Sequence, residues 1–194
     1  MLKEIGPVGS GIYFGQLFSK RLASAFMEQL DKLESNIPSE TDKNKFKTYS
    51  VNESATVSGF LLTSVLGSIY SRLTNQYSLM TGIKLVIPSF PNPGFVIKTQ
   101  MTGQIHGVHS DGNNLDYEGS RVLHTSAICM NDNYEGGHTQ FYLSGTMEKP
   151  NIDIDIKLKA GQALIFNSNL NYHGITEVTS GSRITLLQLW REWL

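Results

Sequence analysis

Residues 152–166 read Ile152-Asp-Ile-Asp-Ile-Lys-Leu-Lys-Ala-Gly-Gln-Ala-Leu-Ile-Phe166. Ile152, Ile154, Ile156 and Leu158 alternate with Asp153, Asp155, Lys157 and Lys159. Successive side chains of a strand point to opposite faces, so this spacing predicts a half-buried strand with one wet face. Ala160-Gly161 then turns the chain into a short apolar strand, Ala163 to Phe166. The pattern recurs on both sides. Ser180-Gly181 reads as a turn into a strand over Arg183 to Trp190. Arg121 to Met130 reads as a longer strand, with a turn over Asn131 to Gly137 that ends in two glycines. Further upstream, strands at Lys84 to Ile87 and Phe95 to Gln100 flank the turn Pro91-Asn92-Pro93-Gly94. Many short strands with turn signals between them predict a sandwich or barrel.

The N-terminal part has helical periodicity. Ser19 can cap a helix with Leu22, Phe26, Leu30 and Leu33 on one face, and Pro38 ends it. A second helix is expected over Ser54 to Leu79, with the stripe Leu62, Leu66, Ile69, Leu73 and Tyr77, and Gly82 at its C-terminal end. Pro38 to Asn52, polar and lysine-rich, reads as a loop. Both stripes are the kind that packs on a sheet.

The chain has 194 residues, a length that favours one domain. Hydrophobic residues make up 40% and charged residues 17%, enough for a packed core and unlike a disordered chain. The formal net charge of -1 argues against nucleic-acid binding through a broad basic face. Cys129, the single cysteine, rules out an intrachain disulfide and a cysteine-based zinc site, and fits a reducing compartment. The N-terminus lacks the pattern of a signal peptide, and no run reaches the roughly 18 apolar residues of a membrane span. A cytoplasmic protein without membrane or nucleic-acid partners is expected.

All five histidines lie between positions 106 and 173. In an extended segment residues i and i+2 point the same way, so His109 and Asp111 can present an imidazole and a carboxylate to one ion. His173 can add a third ligand from a distant strand. Two imidazoles and a carboxylate on one octahedral face leave three positions open, the arrangement of non-haem Fe(II) oxygenases. Arg183 lies ten positions after His173, and Thr185 faces the same side. A guanidinium binds a carboxylate through two parallel hydrogen bonds, and a hydroxyl can add a third. A surface turn at Ser110-Asp111-Gly112 and a solvated charge at Arg183 are the plainer readings of the same residues.

The segment Arg121-Val-Leu-His-Thr-Ser-Ala-Ile-Cys-Met-Asn-Asp-Asn-Tyr-Glu-Gly-Gly-His-Thr-Gln-Phe141 resembles the central signature of the prolyl 4-hydroxylase-like 2-oxoglutarate/Fe(II)-dependent dioxygenases. There a Leu-Asn-Asp strand end is followed by a Tyr-x-Gly-Gly-Glu-Thr-x-Phe turn. Leu158 to Phe166 is similar to the family's Gly-x-Ala strand, and His173-Gly174-Ile175 with Val178 to Arg183 is similar to its distal histidine and co-substrate arginine. The resemblance spans roughly residues 95 to 191. It implies an α+β, mainly β fold: a double-stranded β-helix, that is, a cupin-like jelly roll, with N-terminal helices packed on the major sheet. One domain would span 1–194, mainly helical over 1–82 and with the jelly-roll core over 83–194.

The resemblance further implies His109, Asp111 and His173 as metal ligands, with Fe(II), 2-oxoglutarate as co-substrate and O2, and with ascorbate as a candidate addition. Arg183 would hold the distal carboxylate of 2-oxoglutarate, with Thr185 beside it. Two positions depart from the pattern. Gln100 stands where many relatives carry a tyrosine that helps bind 2-oxoglutarate, and an amide could donate the same bond. His138 replaces the glutamate of Gly-Gly-Glu and is a substrate-side candidate, as is Arg121; a structural hydrogen bond is the plainer role of His138. His106 and His124 complete no better triad. Asn113 to Gly119 is a candidate flap.

The implied reaction is hydroxylation of an unactivated C–H, with release of succinate and CO2. Asp111 favours it over halogenation, because a third protein ligand leaves no site for halide. The substrate would be an amino-acid residue in a peptide, as for prolyl hydroxylases, or a free amino acid or small metabolite. A non-catalytic jelly-roll metal-binding protein and a zinc hydrolase are the rivals; the hydrolase gives no reason for the Arg183 and Thr185 pair.

Overall fold

In a computed structural model, residues 1–34, 46–50, 57–86, 96–111, 124–146, 149–168 and 170–193 are described. The chain opens with strands β1 (Leu2–Glu4) and β2 (Ile12–Gln16), then helix α1 (Lys20–Glu34), β3 (Phe46–Ser50) and helix α2 (Val57–Thr81). The strands β4 (Leu85–Val86), β5 (Val96–Met101), β6 (His106–His109), β7 (His124–Cys129), β8 (Tyr134–Gly136) and β9 (Thr139–Tyr142) follow. The chain continues through β10 (Ser144–Thr146), β11 (Lys149–Asn151), β12 (Ile154–Ile156), β13 (Gln162–Asn167), β14 (Tyr172–Ile175) and β15 (Val178–Glu192). No helix among the described residues is long and apolar enough to cross a membrane.

The fold is mainly β, with two antiparallel sheets. The larger runs β1-β2-β13-β7-β15-β5-β3, with β4 and β8 also paired to β15. The smaller runs β12-β9-β14-β6, and β10 and β11 form a separate hairpin. One buried cluster joins Ala23, Phe26 and Leu30 of α1 and Leu66, Ile69, Leu73 and Tyr77 of α2 to Ile97, Ile128, Ile165, Leu186 and Trp190 of the larger sheet. A second cluster joins Ile12, Cys129, Leu164, Phe166 and Val178 to Phe141 of the smaller sheet. The central strand β7 therefore lies between the two clusters, and it is buried at every residue.

Ser19 caps α1 as its sequence predicts: its Oγ accepts from Leu22 N–H at 3.3 Å. Leu22 itself is 39% exposed. Steps of four residues rotate about 40° around a helix, so Leu22 drifts off the stripe and Ala23 takes the inward place. The side chains of Leu33 and Leu62 lie outside the described residues, as do Pro38, Ser54 and the turn at Pro91 to Gly94.

Several expected boundaries are corrected. The first residues, 1–18, hold two strands that extend the larger sheet beside β13. The expected loop over Pro38 to Asn52 contains β3, an edge strand paired with β5; its lysine-bearing, mixed sequence suits an edge. The strand expected over Ile152 to Leu158 is paired only at Ile154–Ile156, and Ile152 is exposed. The turn expected over Asn131 to Gly137 contains β8, which pairs with the start of β15. Ser180-Gly181 is not a turn but part of β15, next to a register shift against β8. Gly181 has φ +74, and a Cβ there would lie 2.1 Å from the Asn133 carbonyl oxygen. The strand can pass β8 this closely only at glycine.

Gly181→Ala is accordingly expected to lower stability by at least about 1–2 kcal/mol, the left-handed backbone cost alone, before the overlap with Asn133 is added. Chemical denaturation would measure it; an unchanged midpoint would mean that the bulge relaxes.

Candidate active site

The site begins with one cross-strand pair. β6 and β14 run antiparallel with His109 opposite His173, and their ring centroids lie 4.3 Å apart. Each ring is oriented by a backbone carbonyl at its Nδ1: His109 by Gly107 at 2.8 Å, His173 by Asn171 at 3.3 Å. That bond fixes the tautomer and leaves Nε2 as the free donor atom. Both Nε2 atoms point at Asp111, 3.4 Å from Oδ1 for His109 and 3.7 Å from Oδ2 for His173. The ligand atoms of His109, Asp111 and His173 all lie within 4.8 Å of one another. Two imidazoles and a carboxylate at this spacing fit a divalent ion of intermediate hardness.

Neighbours hold the carboxylate. Thr125 Oγ1 donates to Asp111 Oδ2 at 2.6 Å and also bonds Ser168 Oγ at 2.6 Å. Ser110 Oγ donates to the Ser168 carbonyl at 2.8 Å, pinning the backbone between the two ligands. Burial alone would raise Asp111, but the hydrogen bonds of His109 and Thr125 outweigh it and hold the carboxyl at about 2. Its bond to Asp111 raises His109. Burial pushes His173 down to about 4 against the pull of Asp111.

The triad opens on a cavity of about 550 Å³ between the two sheets. Arg183 reaches it from β15 and is 3% exposed. Its Nη2 donates to Thr139 Oγ1 at 3.2 Å, and its buried Nε has no hydrogen-bond partner. No carboxylate among the described residues pairs with it. A buried guanidinium without a counter-charge is costly, so the pocket is built for an anion. Asn131 brackets this arginine: its amide donates to the Ser182 carbonyl at 2.6 Å and accepts from Ile184 N–H at 2.9 Å. Thr185 lines the same cavity, and its hydroxyl donates to the Lys98 carbonyl at 3.4 Å.

The other expected site residues are placed unequally. Gln100 lines the cavity, but its amide nitrogen donates to the carbonyls of Gln104 at 2.8 Å and Thr176 at 3.4 Å. His138 is not among the lining residues; it pairs with Asp155 at 3.0 Å on the surface. His124 is buried behind the sheet between Tyr77, at 3.2 Å, and Glu192, at 2.9 Å. Arg121 and the flap candidate Asn113 to Gly119 lie outside the described residues. Sequence reasoning missed Thr125, Lys98 and the pocket position of His106. Lys98 carried a signal, since it lies two residues before Gln100 and shares its face.

A family model described as the 2OG-Fe(II) oxygenase superfamily matches residues 96–191. The chain belongs to this superfamily, whose members use Fe(II), 2-oxoglutarate and O2. Among solved structures, it is similar to a prolyl-4-hydroxylase from Pseudomonas putida, with TM-score 0.66 and 11% identity over 96% of this chain and 95% of that one. It is also similar to a collagen prolyl hydroxylase from Paramecium bursaria chlorella virus 1, solved with 2-oxoglutarate (TM-score 0.63, 16% identity, 94% of this chain and 97% of that one). A third is a prolyl hydroxylase from Trichoplax adhaerens in complex with a hypoxia inducible factor peptide fragment (TM-score 0.63, 14% identity, 94% and 84%). At these identities the likeness is one of fold, the jelly roll of these oxygenases. No curated protein matches the chain by sequence.

The buried imidazoles set a pH dependence. His173 and His106, both lowered to about 4, and His124, also lowered, take protons more readily in the unfolded chain. Stability of the metal-free protein is therefore full above the unfolded value of about 6.5 and falls as pH drops toward 4. His173 alone contributes on the order of 3 kcal/mol to this loss, and the raised pKa of His109 offsets part of it. Melting temperatures between pH 7 and pH ~4.5 would read the slope; a flat profile would remove the burial assigned to these rings.

Proposed function

We propose that the protein is a 2-oxoglutarate- and Fe(II)-dependent dioxygenase that hydroxylates an unactivated C–H, with all of residues 1–194 working as one domain. The β-helix carries the site, and the two N-terminal helices back its larger sheet. The substrate is an amino-acid residue in a peptide, as for the prolyl hydroxylases of similar fold, or a free amino acid or small metabolite. The observation that carries this reading is the buried guanidinium of Arg183, which has no carboxylate partner among the described residues, facing the same cavity as the His109, Asp111 and His173 triad.

His109, Asp111 and His173 would hold the iron through two Nε2 atoms and one carboxylate oxygen. When bound, the iron and 2-oxoglutarate supply the oxidising chemistry: one atom of O2 enters the substrate as hydroxyl, the other enters succinate, and CO2 leaves. Arg183 anchors the distal carboxylate of the co-substrate, with Thr139 orienting the guanidinium and Thr185 beside it. Gln100 acts here through the backbone, holding the segment after β5 in place. Phe166, Ile175, Leu187 and Leu189 keep the cavity apolar, which strengthens each charge interaction inside it.

Anaerobic titration of metal-free protein with Fe(II) and 2-oxoglutarate tests the proposal through the visible metal-to-ligand charge-transfer band. The band is expected in the wild type. Arg183→Ala should weaken 2-oxoglutarate binding about 100-fold, the loss of a charge-assisted pair worth about 3 kcal/mol, and His173→Ala should abolish the band. Its absence from well-folded wild-type protein would sink the dioxygenase reading in favour of a non-catalytic metal-binding jelly roll.

A further inference from the structure

Asp111 meets the two imidazoles with both of its oxygens. Oδ1 lies 3.4 Å from His109 Nε2, and Oδ2 lies 3.7 Å from His173 Nε2. The triad by itself therefore does not decide whether one oxygen or both would face an ion. The difference between the two is made by β7. Thr125 Oγ1 donates to Oδ2 at 2.6 Å and stands 2.6 Å from Ser168 Oγ. A hydroxyl carries a single proton. The carboxylate takes that of Thr125, so Ser168 donates to Thr125. The chain is thus oriented, from Ser168 through Thr125 to Asp111 Oδ2. It is also shielded from water, with Ser168 fully buried and Thr125 6% exposed. Ser110, between the two ligands, holds the Ser168 carbonyl at 2.8 Å and so ties the far end of the chain to the same segment as Asp111. A short bond from a hydroxyl to a carboxylate is roughly twice as strong as a neutral one. It occupies Oδ2 and leaves Oδ1 as the oxygen presented to an ion.

We propose that Thr125 is a positioning residue that fixes Asp111 as a one-oxygen ligand and so keeps open a metal position that the co-substrate requires. This deepens the dioxygenase reading and rests on it. Two imidazoles and one carboxylate oxygen leave three positions of an octahedron open. A chelating 2-oxo acid and O2 use all three, and a second oxygen from Asp111 would take one of them. The role of Thr125 is therefore not to strengthen the hold on the metal. Without its hydroxyl, Oδ2 is free to close on the ion, so the metal is held as well as before and 2-oxoglutarate is what loses. Groups that bond a metal ligand from behind are worth about 10–100-fold in metal affinity or activity; here that factor falls on the co-substrate.

Metal-free protein is titrated anaerobically with Fe(II), and the loaded protein then with 2-oxoglutarate. Competition with a coloured chelator gives the Fe(II) affinity, and the charge-transfer band gives that of 2-oxoglutarate. Infrared difference spectra of protein labelled with carbon-13 aspartate, with and without Fe(II), read the carboxylate itself. Its two stretches lie further apart when one oxygen binds than when both do. Thr125→Val is expected to weaken 2-oxoglutarate binding about tenfold or more, to leave Fe(II) affinity within about threefold, and to bring the two stretches closer. Thr125→Ser, which keeps the hydroxyl, should restore all three. A loss of Fe(II) affinity as large as that of 2-oxoglutarate overturns the proposal. So does an unchanged separation of the stretches, or a Thr125→Ser protein that behaves like Thr125→Val. Where circular dichroism shows that Thr125→Val does not fold, Ser168→Ala takes its place. It removes only the bond that aims the Thr125 hydroxyl, and should weaken 2-oxoglutarate about threefold with Fe(II) affinity kept; no change there overturns the proposal. Wild-type protein that binds Fe(II) but not 2-oxoglutarate sinks the dioxygenase reading instead, and the infrared comparison then decides alone whether Thr125 holds Asp111 to one oxygen.

Discussion

Directly opposed residues of an antiparallel pair hold their Cβ atoms about 4.5–5.5 Å apart, close enough for two imidazoles to share one ion. His109 and His173 stand in that relation across β6 and β14. The rest of the site is arranged around it. Asp111, two residues beyond His109, then has both Nε2 atoms before it, and Thr125 and Ser168 fix the carboxylate that completes the set. Phe166 packs against the His173 ring with centroids 4.6 Å apart, so the ring that burial keeps neutral is also kept from turning. A slip of one residue in this register would send His173 to the opposite face and leave Asp111 with one imidazole.

The buried guanidinium that the proposed reading uses as an anion anchor comes from the other sheet. Arg183 sits on β15, the strand that also pairs with β5, β7, β8 and β4. A buried cation in such a place needs a rigid support, because any freedom would let it turn toward water or pair elsewhere. Asn131 supplies part of that support by bonding the backbone on both sides of Arg183. Gly137 supplies another part by having no side chain, since a Cβ there would lie 3.0 Å from Arg183 Cδ. The spacing between triad and anchor is then set by how the two sheets pack, through Phe141, Phe166, Leu164 and Val178.

These origins explain what could be read in the sequence. His109 and Asp111 are related by local strand geometry, and Arg183 and Thr185 likewise, so alternation alone places each pair on one face. The joining of the two pairs in one cavity depends on sheet packing, which no local pattern encodes; the family resemblance suggested it. His106 shows the limit most clearly. It lies three residues before His109, so strict alternation puts it on the opposite face. The register shift between His173 and Ile175 changes that parity, and the ring ends beside His109. β1, β2 and β3 are short strands of mixed polarity at the two ends of the larger sheet, and such segments carry little periodicity to read. His138 was legible as chemistry but not as position, since Asp155 on β12 holds it at the surface.

The two faces of the cavity thus serve different ends. β6, β14 and the residues just after His109 bring together the three groups that could hold a metal ion, and their geometry tolerates little change. β15 provides Arg183, which the proposed reading gives to an anion, and β5 lines the cavity beside it with Lys98 and Gln100. Arg183 is tied to Thr139 and bracketed by Asn131, and the Lys98 ammonium lies 3.2 Å from His106 Nδ1. Gln100 directs its amide nitrogen at the Gln104 and Thr176 carbonyls and so steadies the end of β5. In the dioxygenase reading proposed above, the metal is held from one sheet and the carboxylate of the co-substrate from the other, so the two requirements fall on different strands.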